Sequence, residues 1–424
     1  MRRAPTHQQR GVAALAVTMT LFFAMLLVAV FANRNLVFEQ RSSANQYRAT
    51  QAFEAAEAGL EWAQAQLNNG QRLGADCKAS ADTAALSFRD RYLRKITPNA
   101  GFSAATWNNG TADVGLQPSC VRSDSGWRCV CPSNGPAQPA PSNSAVPAPA
   151  FVIEFLAGGK NGVVRVVSRG CSSLAGACAP GTGGTADATA RVEVALALLP
   201  ALANKPAAPL TVRGSVNVPG VALGAHNADI ASGGIALHSG GDIVADALRL
   251  TGPAGAPVSR AIVGNDPALA SLSPDQLFTA YFGLDKASWA AQPVVTTFTC
   301  PGNCAAALET AANAAGTNAL IRVGGNLQVD GPVTIGSPQQ PVLIVVEGSA
   351  QLRGAVTLHG VLYAASVGWT NPVASGATVR GALVSETVYQ GEATPDLVYD
   401  PVVLQALNER SGSFARISGS WRDF

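Results

Sequence analysis

A single apolar run near the N-terminus limits what this chain can fold into. From Val12 to Ala32 it has 21 residues without a charge, among which only Thr18 and Thr20 are polar. An α-helix rises about 1.5 Å per residue, so a run of this length crosses a hydrocarbon core about 30 Å thick. Cleaved secretory signals have shorter apolar regions, of about 7–15 residues. The sequence therefore predicts a membrane helix that stays in the mature protein.

The residues after this run predict that the helix continues as an amphipathic one. Residues 34–68 contain no proline and one glycine, Gly59, before the stop signal Asn-Asn-Gly. Apolar residues recur at steps of three and four, at Phe53, Ala56, Leu60, Ala63 and Leu67. This spacing places them on one face, so we expect a transmembrane and amphipathic helix over 12–68. A second face carries acidic residues and is expected to meet solvent or a neighbouring subunit; they are Glu54, Glu57 and Glu61.

Charges and cysteines on either side of the run indicate its orientation. Arg2, Arg3 and Arg10 precede it, and an excess of basic residues favours the cytoplasmic side. Eight cysteines follow it, and an even count with close pairs is typical of disulfides formed in an oxidising compartment. We therefore expect a single-pass protein of the inner membrane with a periplasmic domain.

The cysteine spacing leaves the pairing open, since eight cysteines allow 105 connectivities. Two close pairs are the candidates for local disulfides: Cys171 with Cys178, closing a surface loop, and Cys300 with Cys304, stapling a helical insertion. Zinc is the alternative, but no second cysteine or histidine pair lies near Cys300. The spacing also differs from the Cys-x-x-Cys of redox-active pairs. We expect no metal site.

The first 68 residues also resemble a known family. A basic leader ending in QRG at Gly11, an apolar stretch starting at Val12, and QAFEAAEAGLEWAQAQL at 51–67 are similar to the N-terminus of PilX-type minor pilins, low-abundance type IV pilus proteins of Gram-negative bacteria. The resemblance implies that prepilin peptidase cuts between Gly11 and Val12, which makes 1–11 a leader peptide. It also implies as partners other minor pilins, the major pilin, prepilin peptidase, the inner membrane and a tip adhesin. The mature subunit would then lie in the pilus filament or at its tip.

One position departs from the pattern of major pilins. They carry a glutamate as the fifth mature residue, which pairs with a neighbouring subunit's terminal amine, and here this position is Ala16. An unpaired charge inside an apolar filament core is costly, so a subunit without the glutamate avoids that cost but cannot neutralise a neighbour's amine. PilX-type members commonly lack the glutamate. Its absence favours a rare subunit, near the tip, that helps to initiate assembly or presents a tip surface.

Residues 69–204 predict a small head on the helix. Strand patterns occur at three places, 151–156, 163–169 and 191–198. The first two flank AGGKNG, which is a hairpin signal, and in the third every second residue is apolar. An antiparallel sheet packed on the helix stripe around Phe53 and Leu60 would bury both surfaces. We therefore expect an α+β, pilin-like head, with the long N-terminal helix on a small antiparallel sheet.

Composition shifts at about residue 205, where short apolar segments begin to alternate with glycine corners. Three of these glycines, Gly331, Gly354 and Gly381, recur at 23- and 27-residue spacing within similar segments. Degenerate repeats of this length are typical of β-solenoid coils. We expect residues 205–424 to form a mostly-β C-terminal domain, a β-solenoid, with a flat sandwich as the alternative.

Helical sequence interrupts these repeats between about 263 and 318. Ser273 followed by Pro-Asp is a strong helix start, and Gly283 is a stop. Asn303 is placed to cap the segment CAAALETAANAAG. We expect a short helical insertion here, and we expect the aromatic tail FARISGSWRDF to plug the last coil of the solenoid.

No pattern predicts catalysis, a cofactor or nucleic-acid binding. The net charge is +2 and 13% of residues are charged, without the basic patch that nucleic acid requires. His226, His238 and His359 lie far apart in sequence, and SGGDIVAD lacks the period of calcium-binding repeats. We expect a structural subunit and no enzyme. The alternatives are a K-type minor pseudopilin of type II secretion and a membrane-anchored glycan-binding β-solenoid protein.

Overall fold

A long N-terminal helix leads into a head built on an antiparallel sheet, and a mostly-β region with a parallel sheet follows. The structure is a computed structural model that describes residues 10–82, 84–96, 101–108, 110–135, 137, 139, 148–173, 178, 188–316, 319–371 and 376–424. Residues 1–9 of the predicted leader lie outside the described residues.

The N-terminal helix, α1, runs unbroken over Arg10–Leu67, a length of 58 residues. It holds the apolar run and the amphipathic segment in one element, because no proline interrupts the hydrogen bonds between successive turns. Among the described residues it is the one helix long and apolar enough to cross a membrane, as judged by length and composition. At about 1.5 Å per residue it is about 87 Å long.

Among the described residues, one short helix and nine strands of the head precede the parallel sheet in the chain. They are α2 (Phe88–Tyr92), β1 (Leu93–Ile96), β2 (Gly101–Ala104), β3 (Thr106–Asn108), β4 (Asp113–Gly115), β5 (Ser119–Ser123), β6 (Gly126–Val130), β7 (Ala150–Ala157), β8 (Val163–Cys171) and β9 (Thr189–Pro200). Strands β6, β5, β7, β8 and β9 lie side by side in that order, and each pair is antiparallel. Alternate residues of β9, such as Val192 and Val194, are buried in the core that also contains the end of α1. The period of two thus gives this strand an apolar face for the helix.

The parallel sheet contains fourteen strands. They are β10 (Leu210–Val212), β11 (Val216–His226), β12 (Leu237–Ser239), β13 (Ile243–Thr251), β14 (Ile262–Val263), β15 (Val295–Phe298), β16 (Ala319–Val323), β17 (Leu327–Asp330), β18 (Val333–Ile335), β19 (Val342–Arg353), β20 (Val356–Asn371), β21 (Thr378–Ser385), β22 (Tyr389–Ala393) and β23 (Asp396–Val398). Within the described residues every pairing is parallel, and β21, β23, β11, β22 and β20 close a ring. The inward-facing Val, Leu and Ile side chains form one apolar core.

In the described part of this region, a 3-10 helix (Val258–Ala261) and five α-helices accompany the sheet: α3 (Pro267–Ser271), α4 (Pro274–Phe282), α5 (Lys286–Ala290), α6 (Ala305–Ala314) and α7 (Pro401–Glu409). The helix predicted after Ser273 is confirmed, with a capping box at Ser273 and a left-handed Gly283 at its end. Helix α6 starts one residue later than predicted, since Cys304 is its N-cap and Asn303 Oδ1 accepts from the Ala305 amide.

The order of strands in the parallel sheet differs from their order in the chain. The first strand, β10, lies in the middle of the sheet, between β12 on one side and β21 on the other. The chain builds outward from β10 to β14, passes through α3–α5 to β15 at the opposite edge, and returns inward to β21. A strand from late in the chain, β21, therefore lies next to the first strand of the sheet, β10.

The last two strands of the chain, β24 (Gly412–Arg416) and β25 (Arg422–Asp423), pair antiparallel with β9 of the head. The prediction that 205–424 form one β-domain is therefore wrong for these residues, and so is the prediction that the tail plugs the last coil. The physical reason is Phe414, which is buried in the head core against Phe102.

Residues 202–410 are consequently an insertion between two neighbouring strands of the head, and we call them the inserted domain. The two ends of the insertion meet, because the Ala201 amide donates to the Ser411 carbonyl at 2.8 Å. The head itself is formed by the end of α1, residues 68–201 and residues 411–424.

The glycine repeat predicted from the sequence holds for one step and fails for the next. Gly331 and Gly354 follow the paired residues Asp330 and Arg353, so they occupy the same corner of neighbouring coils. Gly381 instead pairs with Gly360 inside two strands. A glycine marks a corner in one coil and a close backbone contact in another, and sequence spacing does not distinguish the two.

Candidate functional site: the N-terminal helix and its junction with the head

The first two thirds of α1 form an exposed surface, apolar in its first half. Every side chain described between residues 12 and 50 is exposed. Exposed apolar surface of this extent is normally covered by lipid or by other chains. Ala16 lies on this surface, and the chain has no carboxylate before Glu39. The part of this surface before Glu39 can therefore enter an apolar environment without burying a carboxylate.

The last part of α1 packs closely on the head sheet. Its buried residues are Ala52, Ala55, Ala56, Leu60, Ala63 and Leu67. A Cβ added at Gly170 of β8 would lie 2.0 Å from the Ala52 carbonyl oxygen, and one added at Gly59 would lie 2.2 Å from Ser168 Oγ. Glycine on each side thus lets the helix and β8 approach more closely than side chains would allow.

Phe53, predicted to lie in the buried stripe, sits at its edge. It is 37% exposed, and its ring is edge-on to that of Trp421 with the centroids 6.4 Å apart. Ala52 and Ala55 face the sheet instead. The close backbone approach at Gly170 leaves room for small side chains at these positions and not for a phenyl ring.

Arg89 of α2 holds the C-terminal end of α1 against the returning strand β24. Its guanidinium donates to the Leu67 carbonyl at 2.9 Å, to the Arg410 carbonyl at 3.0 Å and to the Gly412 carbonyl at 2.7 Å. Burial lowers the pKa of Arg89 to about 10, so the group stays charged at neutral pH. A positive charge there also complements the partial negative charge at the end of α1.

Asn68 extends the same junction, because its side-chain amide bonds to the backbone of β24 as a neighbouring strand would. Its Nδ2 donates to the Phe414 carbonyl at 2.9 Å, and its Oδ1 accepts from the Phe414 amide at 2.7 Å. The Arg89 guanidinium also lies over the Phe414 ring, 4.7 Å from its centroid. The end of α1 and the C-terminal strand therefore stabilise each other.

The acidic face of α1 also contacts the C-terminal residues. Glu61 lies 2.7 Å from Arg416, and Glu57 accepts a hydrogen bond from Trp421 Nε1 at 2.7 Å. We predicted that this face meets solvent or another subunit. Glu61 is exposed, with 68% of its side chain accessible, and Glu57 is half-buried, so both side chains meet solvent and also contact the C-terminal residues. Their partners lie more than 350 residues away in sequence, where no local pattern could indicate them.

Replacing Arg89 with methionine should destabilise the head by about 3–5 kcal/mol, because three carbonyls lose their buried donor. Chemical unfolding of the full chain, followed by limited proteolysis at the head, would measure this. Arg422→Met is the matched control, since Arg422 is exposed. Equal stability of the two variants would contradict the role given to Arg89.

The head contains disulfides, and a further disulfide lies at the start of α6. The structure pairs Cys77 with Cys131, Cys120 with Cys129, Cys171 with Cys178 and Cys300 with Cys304. Three of the four lie in the head, and the fourth lies in the inserted domain. Cysteines bonded to each other present no thiolate to a metal, so the structure gives the zinc alternative no support.

The three histidines after the leader lie on separate strands and make local contacts. His226 Nε2 is 3.1 Å from Asp396, and His238 Nε2 is 2.7 Å from Asp266. The hydrogen bond from His238 holds the pKa of the Asp266 carboxyl below its usual value. Burial lowers the pKa of His359. Within the part of the chain that the structure describes, no group of three or more His, Cys, Asp or Glu is placed to hold a metal ion.

Residues 10–61 match the model of the PilX N-terminal family, which confirms the resemblance read from the sequence. The match covers the exposed surface of α1 and most of its packed end, and well under half of the chain. Residues 10–61 are thus similar to the N-terminal segment of this pilin family.

Among solved structures, the chain is similar to the competence-associated pilin ComZ from Thermus thermophilus, with 13% identity and a TM-score of 0.20 over 89% of this chain and 97% of that chain. A TM-score this low does not establish a shared fold for the head or for the inserted domain. None of the curated proteins matches the chain.

Proposed function

We propose that this chain is a minor pilin of a type IV pilus system, incorporated at low abundance and located near the tip. The observation that carries the proposal is the PilX N-terminal segment, with an exposed apolar surface on α1 that requires lipid or other subunits to cover it. There the subunit would help to initiate assembly or present a tip surface. Its partners would be other minor pilins, the major pilin and a tip adhesin.

The absence of a carboxylate at Ala16 supports a rare position. In a filament core, each repeated subunit would have to neutralise the amine of a neighbour, and this chain has no acid before Glu39 with which to do so. The inserted domain also supports it, because a head enlarged by residues 202–410 is bulky for a subunit repeated along a shaft.

For processing and topology, we infer a leader of residues 1–11 on the cytoplasmic side, cut by prepilin peptidase between Gly11 and Val12. The mature protein would cross the inner membrane once and place the head in the periplasm. Disulfides in the head support an oxidising compartment for it.

For the inserted domain, we infer a β-solenoid architecture, which the sequence repeats led us to expect. Parallel pairings throughout the described strands support it, as do short corners between consecutive strands such as β16 and β17. Each coil would then bury its apolar residues against the next.

Replacing Gly11 with leucine should block removal of the leader, because the peptidase requires a small residue at the cut. The experiment is the intact mass of the protein expressed with prepilin peptidase. Gly11→Ala is the matched control and should still be cleaved. A Gly11→Leu protein that matures to the wild-type mass would refute processing as a prepilin.

A further inference from the structure

A groove lies on the face of the inserted domain that β19, β20, β22 and β11 form. Its volume is about 400 Å³, within the range of about 300–1,000 Å³ found for small-ligand sites. Residues 366–370 of β20 line its floor together with Val388 and residues 390–392. Gln351 stands on one side, and Pro219, in a bulge of β11 between Val218 and Ala222, stands on the other.

Hydrogen bonding holds the bulge that forms this side of the groove. The Gly220 amide donates to Asp246 Oδ2 at 2.6 Å. Asp246 belongs to the SGGDIVAD segment of the sequence, and here its carboxylate stabilises a backbone turn. The concave shape is therefore built into the fold.

Amide side chains cross the groove in register. The strand pairings align Gln351, Gly368, Gln390 and Asn217 on four neighbouring strands, which are about 4.8 Å apart. Gly368 contributes no side chain to this row. A Cβ added there would lie 2.4 Å from Gln351 Oε1 and 2.8 Å from its Nε2, so the Gln351 amide lies over the glycine and forms part of the floor.

The polar groups in this row are available to a ligand. Gln351, Gln390 and Asn217 are exposed, and their side chains make no hydrogen bond within the described part of the chain, whereas Gln328 of the same row is bonded to Asp330. Each free amide offers two N–H donors and one carbonyl acceptor. Thr370, at the end of the floor, adds a hydroxyl.

We propose that this groove binds a short segment of a neutral glycan. Neighbouring sugar hydroxyls both donate and accept hydrogen bonds, and a row of amides presents donors and acceptors at a regular spacing. The floor extends for five residues, about 13 Å along the strands at about 3.3 Å per residue. That length suits a few linked sugar rings.

Other occupants fit the groove less well. The one charged residue among its described lining is Glu392, and no basic side chain lines it, which disfavours nucleic acids and acidic polysaccharides. Trp369 is 0% exposed, so it offers no aromatic platform to an apolar peptide or a lipid. The proposal concerns the inserted domain alone and does not depend on assembly into a pilus.

The test is binding of three neutral probes, cellotriose, maltotriose and triacetylchitotriose, to the full chain in a detergent without a sugar headgroup. Saturation-transfer NMR would detect contact, and titration would give affinities. At least one trimer should bind, and the double substitution Asn217→Ala with Gln390→Ala should weaken it at least fivefold. Gly368→Leu should abolish binding, because its side chain would displace the flexible end of Gln351 and cover the floor.

Gln405→Ala, an exposed amide on α7, is the control and should leave binding unchanged. Thermal unfolding of each variant should match that of the wild type. The proposal is overturned if no trimer binds, if the groove variants bind as well as the control, or if a neutral Gly-Ser hexapeptide binds as tightly as the best trimer.

Discussion

Replacing Gly170 with valine should prevent the head from packing on α1. An added Cβ would lie 2.0 Å from the Ala52 carbonyl oxygen and 2.3 Å from the Ala56 amide nitrogen. Both are backbone atoms of α1, which cannot rotate away from the clash as a side chain can. We expect a loss of stability above about 4 kcal/mol, in the range of severe overpacking. Rapid digestion of the head by a protease, with the membrane helix left intact, would show it.

Gly115→Val is the matched control for this prediction. Gly115 ends strand β4 of the head, and a Cβ there meets no atom within 4 Å. Valine also has a high strand propensity. If Gly170→Val resists protease as well as the control does, α1 does not pack on β8 as closely as described.

Removing the inserted domain should leave a folded head. The Ala201 amide and the Ser411 carbonyl are already hydrogen-bonded, so an Asn-Gly dipeptide in place of residues 202–410 would close a two-residue hairpin between β9 and β24. The shortened protein should keep its three head disulfides and its protease resistance. It would lose one hydrogen bond of Arg89, the one to Arg410.

A chain that stops after Ala201 provides the control, because it lacks both the inserted domain and β24. It should fail to fold, since it loses the burial of Phe414, a contribution of about 3–5 kcal/mol. It also leaves Arg89 buried with fewer partners. Mass mapping of disulfides and proteolysis would compare the two proteins, and equal resistance would contradict the role of the last strand.

Local patterns predicted the elements whose signals lie in consecutive residues. The continuous helix followed from the absence of proline, and α4 followed from the Ser273 box and Gly283. The candidate site was predicted in part: the exposed apolar run and Ala16 were read directly from the sequence. The junction of α1 with the head was not predicted. Arg89 and Asn68 acquire their role through contacts with β24, and no local pattern links them to that distant strand.

Strand order escaped prediction for a different reason. Repeats indicate that strands stack, but equivalent strands of a parallel sheet have the same apolar pattern, so the pattern does not say which coil lies next to which. The position of β10 beside β21 depends on the path of α3–α5. The pairing of β24 with β9 likewise joins residues on the two sides of the insertion, and no local pattern links them.

The meeting of the two ends of the insertion affects when the head can be completed during synthesis. At about 5–20 residues per second, a ribosome needs on the order of tens of seconds to make residues 202–410. Throughout that interval the head lacks the strand that covers Arg89 and Asn68. A chain cut short anywhere in the insertion never receives it. Residues 411–424 thus complete the head, so the head is finished only after synthesis has passed them.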